Sequence, residues 1–321
     1  MLDSYLGQDE AIAQLKAEIQ SAKAGATTLP NMLFLGPPGT GKTTLARSLA
    51  AEMALPFEVM HCPNASDREA VASKIIDAQG GILFCEEVHA LPRLFAEDMF
   101  TVIDDNVVTS NVPVMEEKKQ WYIDGFDIKS RMEQVPTGRY ESRRQAITPV
   151  TVVGATTDEA LLPEAFLSRL SGLVVRLEPY DTQTLMNMAV SRSYDVHDTG
   201  MEWEAAYDLA VRCRQNPRRL NFLVDRSFAH FLQGEYSQVT REETDKAIKN
   251  LGIDKWGLEI PHRKLLSFLA DGPLSRTTLA QKMGTKPTNF DLYWSELARL
   301  GMVTIGRKHE LTDLGREAVN G

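Results

Sequence analysis

Three glycines, a lysine and two threonines stand at fixed spacing in Gly36-Pro-Pro-Gly-Thr-Gly-Lys-Thr-Thr44, directly after the apolar run Met32-Leu-Phe-Leu35. This order can hold a chain of phosphates. Gly36, Gly39 and Gly41 let successive backbone N–H groups converge on an anion, and a helix starting at Lys42 points its positive end at the same place. Lys42 then reaches the terminal phosphates of a nucleotide, and the Thr43 hydroxyl is a ligand for Mg²⁺. A plain glycine turn between strand and helix would not need a lysine and a threonine as its next two residues.

A second pair of residues has matching chemistry. The apolar run Gly81-Ile-Leu-Phe-Cys85 ends in Glu86 and Glu87. Such a run fits a buried parallel strand whose C-terminal end opens at a ligand crevice. Beside a phosphate loop, the first carboxylate holds Mg²⁺ through water and the second orients or deprotonates the attacking water. A lone Glu-Glu pair would more often be a solvated strand end, and it is the loop upstream that reverses the odds. The run Val150-Thr-Val-Val-Gly-Ala155 leads to Thr156 and Thr157, either of which places a hydroxyl near a terminal phosphate. Arg218 follows Pro217 in the first turn of a helix, a poor place for a cation unless an anion faces it.

The elements that must position these groups follow from periodicity and punctuation. Ile12, Leu15, Ile19 and Ala22 fall at helical spacing within 9–23, and helices are also expected over 43–52, 95–103 and 163–170, the last carrying Arg169. Strands are expected at 32–35, 56–60, 82–86, 149–157 and 173–177, giving an α/β fold with a parallel sheet. The crossover between the first two predicts a βαβ unit. Residues 92–149 mix Trp121, Tyr122, Phe126 and Tyr140 with Lys118, Lys119, Lys129, Arg131, Arg139, Arg143 and Arg144. A structureless loop of that length is uncommon, so part of it should be a hairpin or docking element for nucleic acid or protein. Residues 181–252 read as all helix. Residues 255–321 read as three short helices, a hairpin and a closing helix, the outline of a winged helix, which binds DNA or protein about equally readily.

Composition narrows the field. A chain of 321 residues has room for two or three domains. Cys62, Cys85 and Cys213 are odd in number with no C-x-x-C pair, which argues for reduced thiols and against a zinc site. No apolar run approaches the roughly 20 residues of a membrane span, and Met1-Leu-Asp-Ser4 lacks the basic start of a secretory leader, so a cytoplasmic protein with no membrane partner is expected. The net charge of −9 argues against a protein that coats nucleic acid over its whole surface. Residues 255–321 nevertheless hold ten Lys or Arg against seven Asp or Glu. DNA contact is therefore expected there, at Arg307 and Lys308 on the hairpin tip.

Taken in order, Leu6-Gly-Gln8, the phosphate loop, Ile82-Leu-Phe-Cys-Glu-Glu-Val-His89, Gly154-Ala-Thr-Thr157, Ser168-Arg169, Arg176-Leu-Glu-Pro-Tyr180, Asn216-Pro-Arg218 and the C-terminal outline resemble the RuvB family, hexameric AAA+ motors of Holliday junction branch migration. The resemblance runs nearly end to end. It implies an AAA+ P-loop domain over 1–180 with an extended insertion at about 104–149, a small helical lid domain over 181–254 and a winged helix over 255–321. Carried over by position, it implies that Tyr5, Leu6 and Tyr180 line an adenine pocket, and that Pro38, Gly39, Thr40, Gly41, Lys42, Thr43 and Thr44 wrap the phosphates of ATP. Pro217 and Arg218 join them, Arg218 as a second sensor. Glu87 becomes the activator of water, Thr157 or Thr156 the first sensor, and Arg169 the finger offered to a neighbouring subunit's ATP. Thr43 and Glu86 hold Mg²⁺.

Three departures from the family pattern stand out. Glu86 replaces the usual Asp, Asp158 stands where Arg is common, and the segment whose family counterpart docks the junction-binding partner RuvA is longer. The expected function is a hexameric, ATP-hydrolysing motor on duplex or branched DNA, with a RuvA-like partner at the 104–149 insertion. The rivals are an AAA+ loader or protein-remodelling ATPase that grips polypeptide, and an ATP-dependent switch with little turnover.

Overall fold

The computed structural model describes residues 2–124, 127–231, 238–284, 287–304, 306 and 308–320. The chain divides into two compact units, Met1–Glu178 and Pro179–Gly321.

In the first unit, helix α1 (Asp9–Gly25) precedes strand β1 (Met32–Leu35), which breaks at the glycine loop into helix α2 (Lys42–Glu52). Strand β2 (Phe57–His61), helix α3 (Arg68–Asp77), strand β3 (Ile82–Glu86) and helix α4 (Arg93–Asp105) follow. After a long hairpin come strand β6 (Thr151–Thr156), helix α5 (Glu164–Leu170) and strand β7 (Leu173–Arg176); the hairpin strands are β4 (Val107–Asp124) and β5 (Asp127–Ala146). The five-stranded sheet is parallel, in the order β2-β3-β6-β1-β7. The expected pairing of the first two strands is therefore corrected: both belong to one parallel sheet, but β3 and β6 lie between them. A crossover helix can span one strand position or several, so its length does not set adjacency.

Both faces of the sheet are covered, which is why β1 and β6 are buried throughout. Alternate residues divide between two cores. Met32 and Phe34 pack with Ile82, Phe84 and Val153 against Leu15 of α1 and Leu45 and Leu49 of α2. Leu33 and Leu35 pack with Leu83, Cys85 and Val152 against Ile75 of α3 and Met99 of α4. Register then decides function. Leu35 pairs with Thr156 and Glu86 with Ala155, so the loop, the carboxylates and the threonines leave the sheet at one edge.

The hairpin expected within 92–149 is present, antiparallel, with a register shift between Pro113 and Met115. Its root is fixed to α4 by the Ile147 N–H donating to the Asn106 carbonyl at 2.9 Å and the Thr101 hydroxyl donating to the Val107 carbonyl at 3.1 Å. Phe126 lies outside the described residues.

The second unit has two cores. Helices α6 (Thr182–His197), α7 (Trp203–Arg212), α8 (Pro217–Phe231) and α9 (Arg241–Asn250) enclose Leu185, Leu209, Leu220, Leu223 and Ile248. The stretch is not purely helical: strands β8 (Gly200–Met201) and β9 (Gln238–Val239) pair in parallel, where extended links between helices run side by side. Helices α10 (Ile260–Ala270), α11 (Arg276–Met283), α12 (Pro287–Arg299) and α13 (Asp313–Asn320) enclose Leu265, Leu269, Phe290, Leu297 and Met302. Of the hairpin expected after α12, the described residues show one bridge, Val303 with Leu311, and a second bridge, His309 with Leu274, ties its return arm to the link before α11.

A buried ionic cluster joins these two helical sets. Arg214, 5 % exposed, places Nη1 2.8 Å from Glu296 Oε2 and Nη2 3.6 Å from Glu259 Oε1. His262 Nε2 lies 3.0 Å from Glu296 Oε2, and Arg219 donates to the Gly257 carbonyl at 3.1 Å. Burial lowers the Arg214 pKa to about 10. Burial alone would raise the Glu296 pKa, but the His262 hydrogen bond and the Arg214 charge hold it below the usual carboxylate range. With its folded-state pKa depressed, Glu296 adds stability that is fully present above the usual carboxylate range and is lost as the pH falls from that range through the lower folded-state pKa. Glu296→Gln should therefore lower stability at pH 7 by about 3 kcal/mol, as expected when one partner of a buried pair is removed. Denaturant unfolding at pH 7 and pH 4 checks this: the gap between parent and variant should narrow at pH 4.

Candidate active site

The loop is built so that backbone, not side chains, faces its ligand. A Cβ added at Gly36 would lie 2.5 Å from the Leu177 carbonyl oxygen and 3.1 Å from Thr40 Oγ1, so only glycine fits between β1 and the end of β7. The Gly36 N–H donates to the Thr156 carbonyl at 3.3 Å, tying the loop to β6. Gly39 and Gly41 take φ of 85° and 91°, the region that favours glycine. Helix α2 then starts without a side-chain cap, whereas α3 and α6 are capped by Asp67 and Asp181. Its first-turn amides are thus open to an anion. Lys42 Nζ donates to the carbonyls of Gly36 at 2.6 Å and Pro37 at 3.0 Å, which lays the ammonium over the loop. The half-buried Tyr5 donates to the Gly41 carbonyl at 3.3 Å, and Leu6 beside it is also half-buried. Thr40 is buried with its hydroxyl donating to the Pro37 carbonyl, while Pro38 and Thr44 are exposed.

The carboxylates meet this loop. Thr43 Oγ1 donates to Glu86 Oε1 at 2.6 Å, so the longer Glu side chain still reaches the hydroxyl. Two hard oxygens together suit Mg²⁺, which binds through few carboxylates and fills its octahedron with water and phosphate oxygens. Glu87 has φ 51° and ψ 50°, a left-handed conformation that is sparsely populated for a residue with a side chain. The chain turns there into the short helical turn Val88–Ala90, which carries His89 back toward β6.

His89 is a residue that sequence reasoning missed. Its Nδ1 lies 2.8 Å from Thr156 Oγ1 and 3.5 Å from Glu87 Oε2. A carboxylate can only accept, so a proton on Nδ1 serves both oxygens. The signal available was its position two residues after Glu87, but its direction depends on the left-handed turn. His61, also missed, lies with Nδ1 3.6 Å from Glu86 Oε2. Of the two threonines, Thr156 is buried and donates to the Asp158 carbonyl at 3.1 Å. Thr157 is exposed and lines a cavity of about 240 Å³ with Gly36, Pro37, Asp158 and Arg176.

The remaining expected site residues lie on other elements. Arg169, in the last turn of α5, is held by α4 through Asp104, with Nη2 2.7 Å from Oδ2. Tyr180, Pro217 and Arg218 belong to the second unit. There Tyr180 is buried in the first helical core, and Pro217 opens α8. Arg218 is exposed, with its N–H donating to Asn216 Oδ1 at 3.0 Å. Lys308 is exposed, and Arg307 lies outside the described residues.

Gly36→Ala should displace the loop, because its methyl group would meet backbone on the β7 side. Titration with a fluorescent nucleotide should show affinity reduced by at least about tenfold, the scale of a lost positioned contact.

Comparison with known proteins agrees with this geometry. Residues 1–177 match the family model described as the Holliday junction DNA helicase RuvB P-loop domain. The Holliday junction branch migration complex subunit RuvB of Levilactobacillus brevis is 31 % identical over 291 residues, covering 88 % of this chain and 79 % of the relative. The structure of Thermotoga maritima RuvB, a Holliday junction branch migration motor, is 24 % identical, covers 99 % of this chain and 96 % of its own, and superposes with a TM-score of 0.78. NtrX from Brucella abortus, in complex with ADP, shares the fold more distantly, at 16 % identity and a TM-score of 0.52, covering 94 % of this chain and 70 % of its own. With the glycine loop, the carboxylate pair and the threonine-bearing strand end at one edge of a β2-β3-β6-β1-β7 sheet, and the family model matching over more than half its length, the chain belongs to the RuvB family.

Proposed function

We propose that this chain is the motor subunit of a hexameric ring that hydrolyses ATP to translocate duplex DNA, with Holliday junction branch migration as its task in recombination and repair. The observation that carries the proposal is the single sheet edge shared by the phosphate loop, Glu86-Glu87 and Thr156-Thr157, in a chain related to RuvB along most of its length. The α2 amides and Lys42 bind the β- and γ-phosphates, with Pro38, Gly39, Thr40, Gly41 and Thr44 shaping the loop around them. Tyr5, Leu6 and Tyr180 take the base, and Pro217 and Arg218 respond to the phosphates. Thr43 and Glu86 hold Mg²⁺, which neutralises phosphate charge. Glu87 orients a water and accepts its proton as the water oxygen bonds to the γ-phosphorus and the bridging oxygen leaves with ADP. Thr157, exposed at the cleft, is the better first sensor of the two threonines, and Arg169 supplies charge to the neighbouring subunit's ATP. A finger given in trans is worth about 10³–10⁵ in rate, so hydrolysis requires assembly.

The exposed Lys308, with Arg307 beside it in sequence, contacts DNA phosphates without reading bases. The hairpin docks a RuvA-like protein: Met115, Met132 and Tyr140 are exposed on it, and large exposed apolar side chains suit a protein partner. The protein acts in the cytoplasm, and among the described residues no helix is long and apolar enough to cross a membrane. The same exposed apolar side chains favour the second reading, a loader or remodeller of proteins.

Measuring ATPase with and without linear and branched duplex DNA separates the two: DNA stimulation supports the motor, and its absence supports the remodeller. Glu87→Gln should keep ATP affinity within about twofold while lowering kcat by about 10²–10⁴, the worth of a positioned general base. Parental turnover in that variant would remove Glu87 from the mechanism.

A further inference from the structure

Arg169 is restrained on several sides. Its Nε donates to Asp104 at 2.8 and 3.1 Å, its Nη2 lies 2.7 Å from Asp104 Oδ2, and its Nη1 donates to the Ala165 carbonyl at 3.0 Å. The guanidinium carbon stands 4.4 Å from the centre of the Phe100 ring. Phe100 is itself fixed, edge-on to the buried Phe166 with ring centres 4.9 Å apart. An exposed ion pair alone would be worth little. Here one carboxylate, one carbonyl and one ring all constrain the same planar group.

Donor counting shows what this arrangement leaves over. A guanidinium has five N–H donors. Hydrogen bonds take the Nε–H, shared between the two Asp104 oxygens, and one N–H of Nη1, on Ala165, while Nη2 adds an ion-pair contact with Asp104 Oδ2. Three N–H donors remain outside these hydrogen bonds, one on Nη1 and two on Nη2, and terminal guanidinium donors are the kind that bind phosphate oxygens. Asp104 thus holds the guanidinium through Nε and leaves terminal donors over.

We propose that Asp104 is a positioning residue for Arg169: with the Phe100 ring packed against the guanidinium, it holds the group so that terminal N–H donors remain for a phosphate. The proposal rests on Arg169 acting as the finger. Asp104 touches no reacting atom, and its effect runs through the orientation of Arg169. Sequestration, in which Asp104 withholds the arginine from use, predicts the opposite effect of removing the carboxylate.

The test is a double-mutant cycle on the full-length chain, reading DNA-stimulated ATPase at saturating and limiting ATP, with thermal midpoints measured alongside. Asp104→Ala should lower kcat by about tenfold to a hundredfold, the scale of misplacing one catalytic group, while leaving KM for ATP within twofold. In an Arg169→Ala background, Asp104→Ala should cause no further loss, a result that a purely structural role would not give. Should Asp104→Ala fail to fold, the isosteric Asp104→Asn carries the same cycle with a smaller loss. Unchanged or raised kcat in Asp104→Ala, or losses that multiply in the double variant, would overturn the positioning role while leaving the finger standing. Parental turnover in Arg169→Ala would instead overturn the finger and the positioning role with it.

Discussion

Parallel pairing of β1 with β6 on one side and β7 on the other is the constraint on which the site depends. The four residues Met32–Leu35 are buried on both faces, so they cannot slip in register without moving a whole row of apolar side chains. Gly36 then leaves the sheet between two fixed strand ends, bonded to Thr156 on one side and within Cβ distance of Leu177 on the other. The sheet itself therefore sets where the loop begins.

Much of this was legible from the chain and some was not, for reasons that differ by element. The glycine loop and the strand ending in Glu86 could be read because their chemistry is local: residue types at fixed spacing, attached to apolar runs too short for anything but buried strands. Strand order could not, since the α2 crossover looks the same whether it skips two strands or none. Nor could Thr156 be separated from Thr157 by periodicity, because all six residues of β6 are buried and alternation is lost. His89, His61 and Asp104 gain their roles only through contacts across the fold, and no spacing rule reaches from Asp104 to Arg169.

Ionic groups in the first unit fall into two kinds. Arg68 grips the nearly buried Asp98 at 2.6 and 2.8 Å, and that pair pins α3 to α4. Glu87 has a half-exposed carboxylate with Oε2 3.5 Å from His89 Nδ1, on a backbone held in the left-handed region. A carboxylate intended for stability would be drawn into bonds like those of Asp98. The long contact with His89 leaves Glu87 accepting capacity, as the activation of water proposed for it requires.

The second unit shows a related economy at α8. Arg214 and Gln215 both take left-handed backbone, at φ of 57° and 56°, immediately before the helix begins. Two consecutive residues of that kind are unfavourable for side-chain-bearing positions and persist only where surroundings over-determine them. The surroundings here are the Arg214–Glu296–His262 cluster, the Arg219 bond to Gly257 and the Asn216 cap on the first turn. Every one of these fixes backbone or a neighbour of Arg218, yet the Arg218 side chain itself stays exposed. Burial and charge pairing thus set the position of the helix start, and the one arginine left to solvent there is the residue proposed to sense nucleotide.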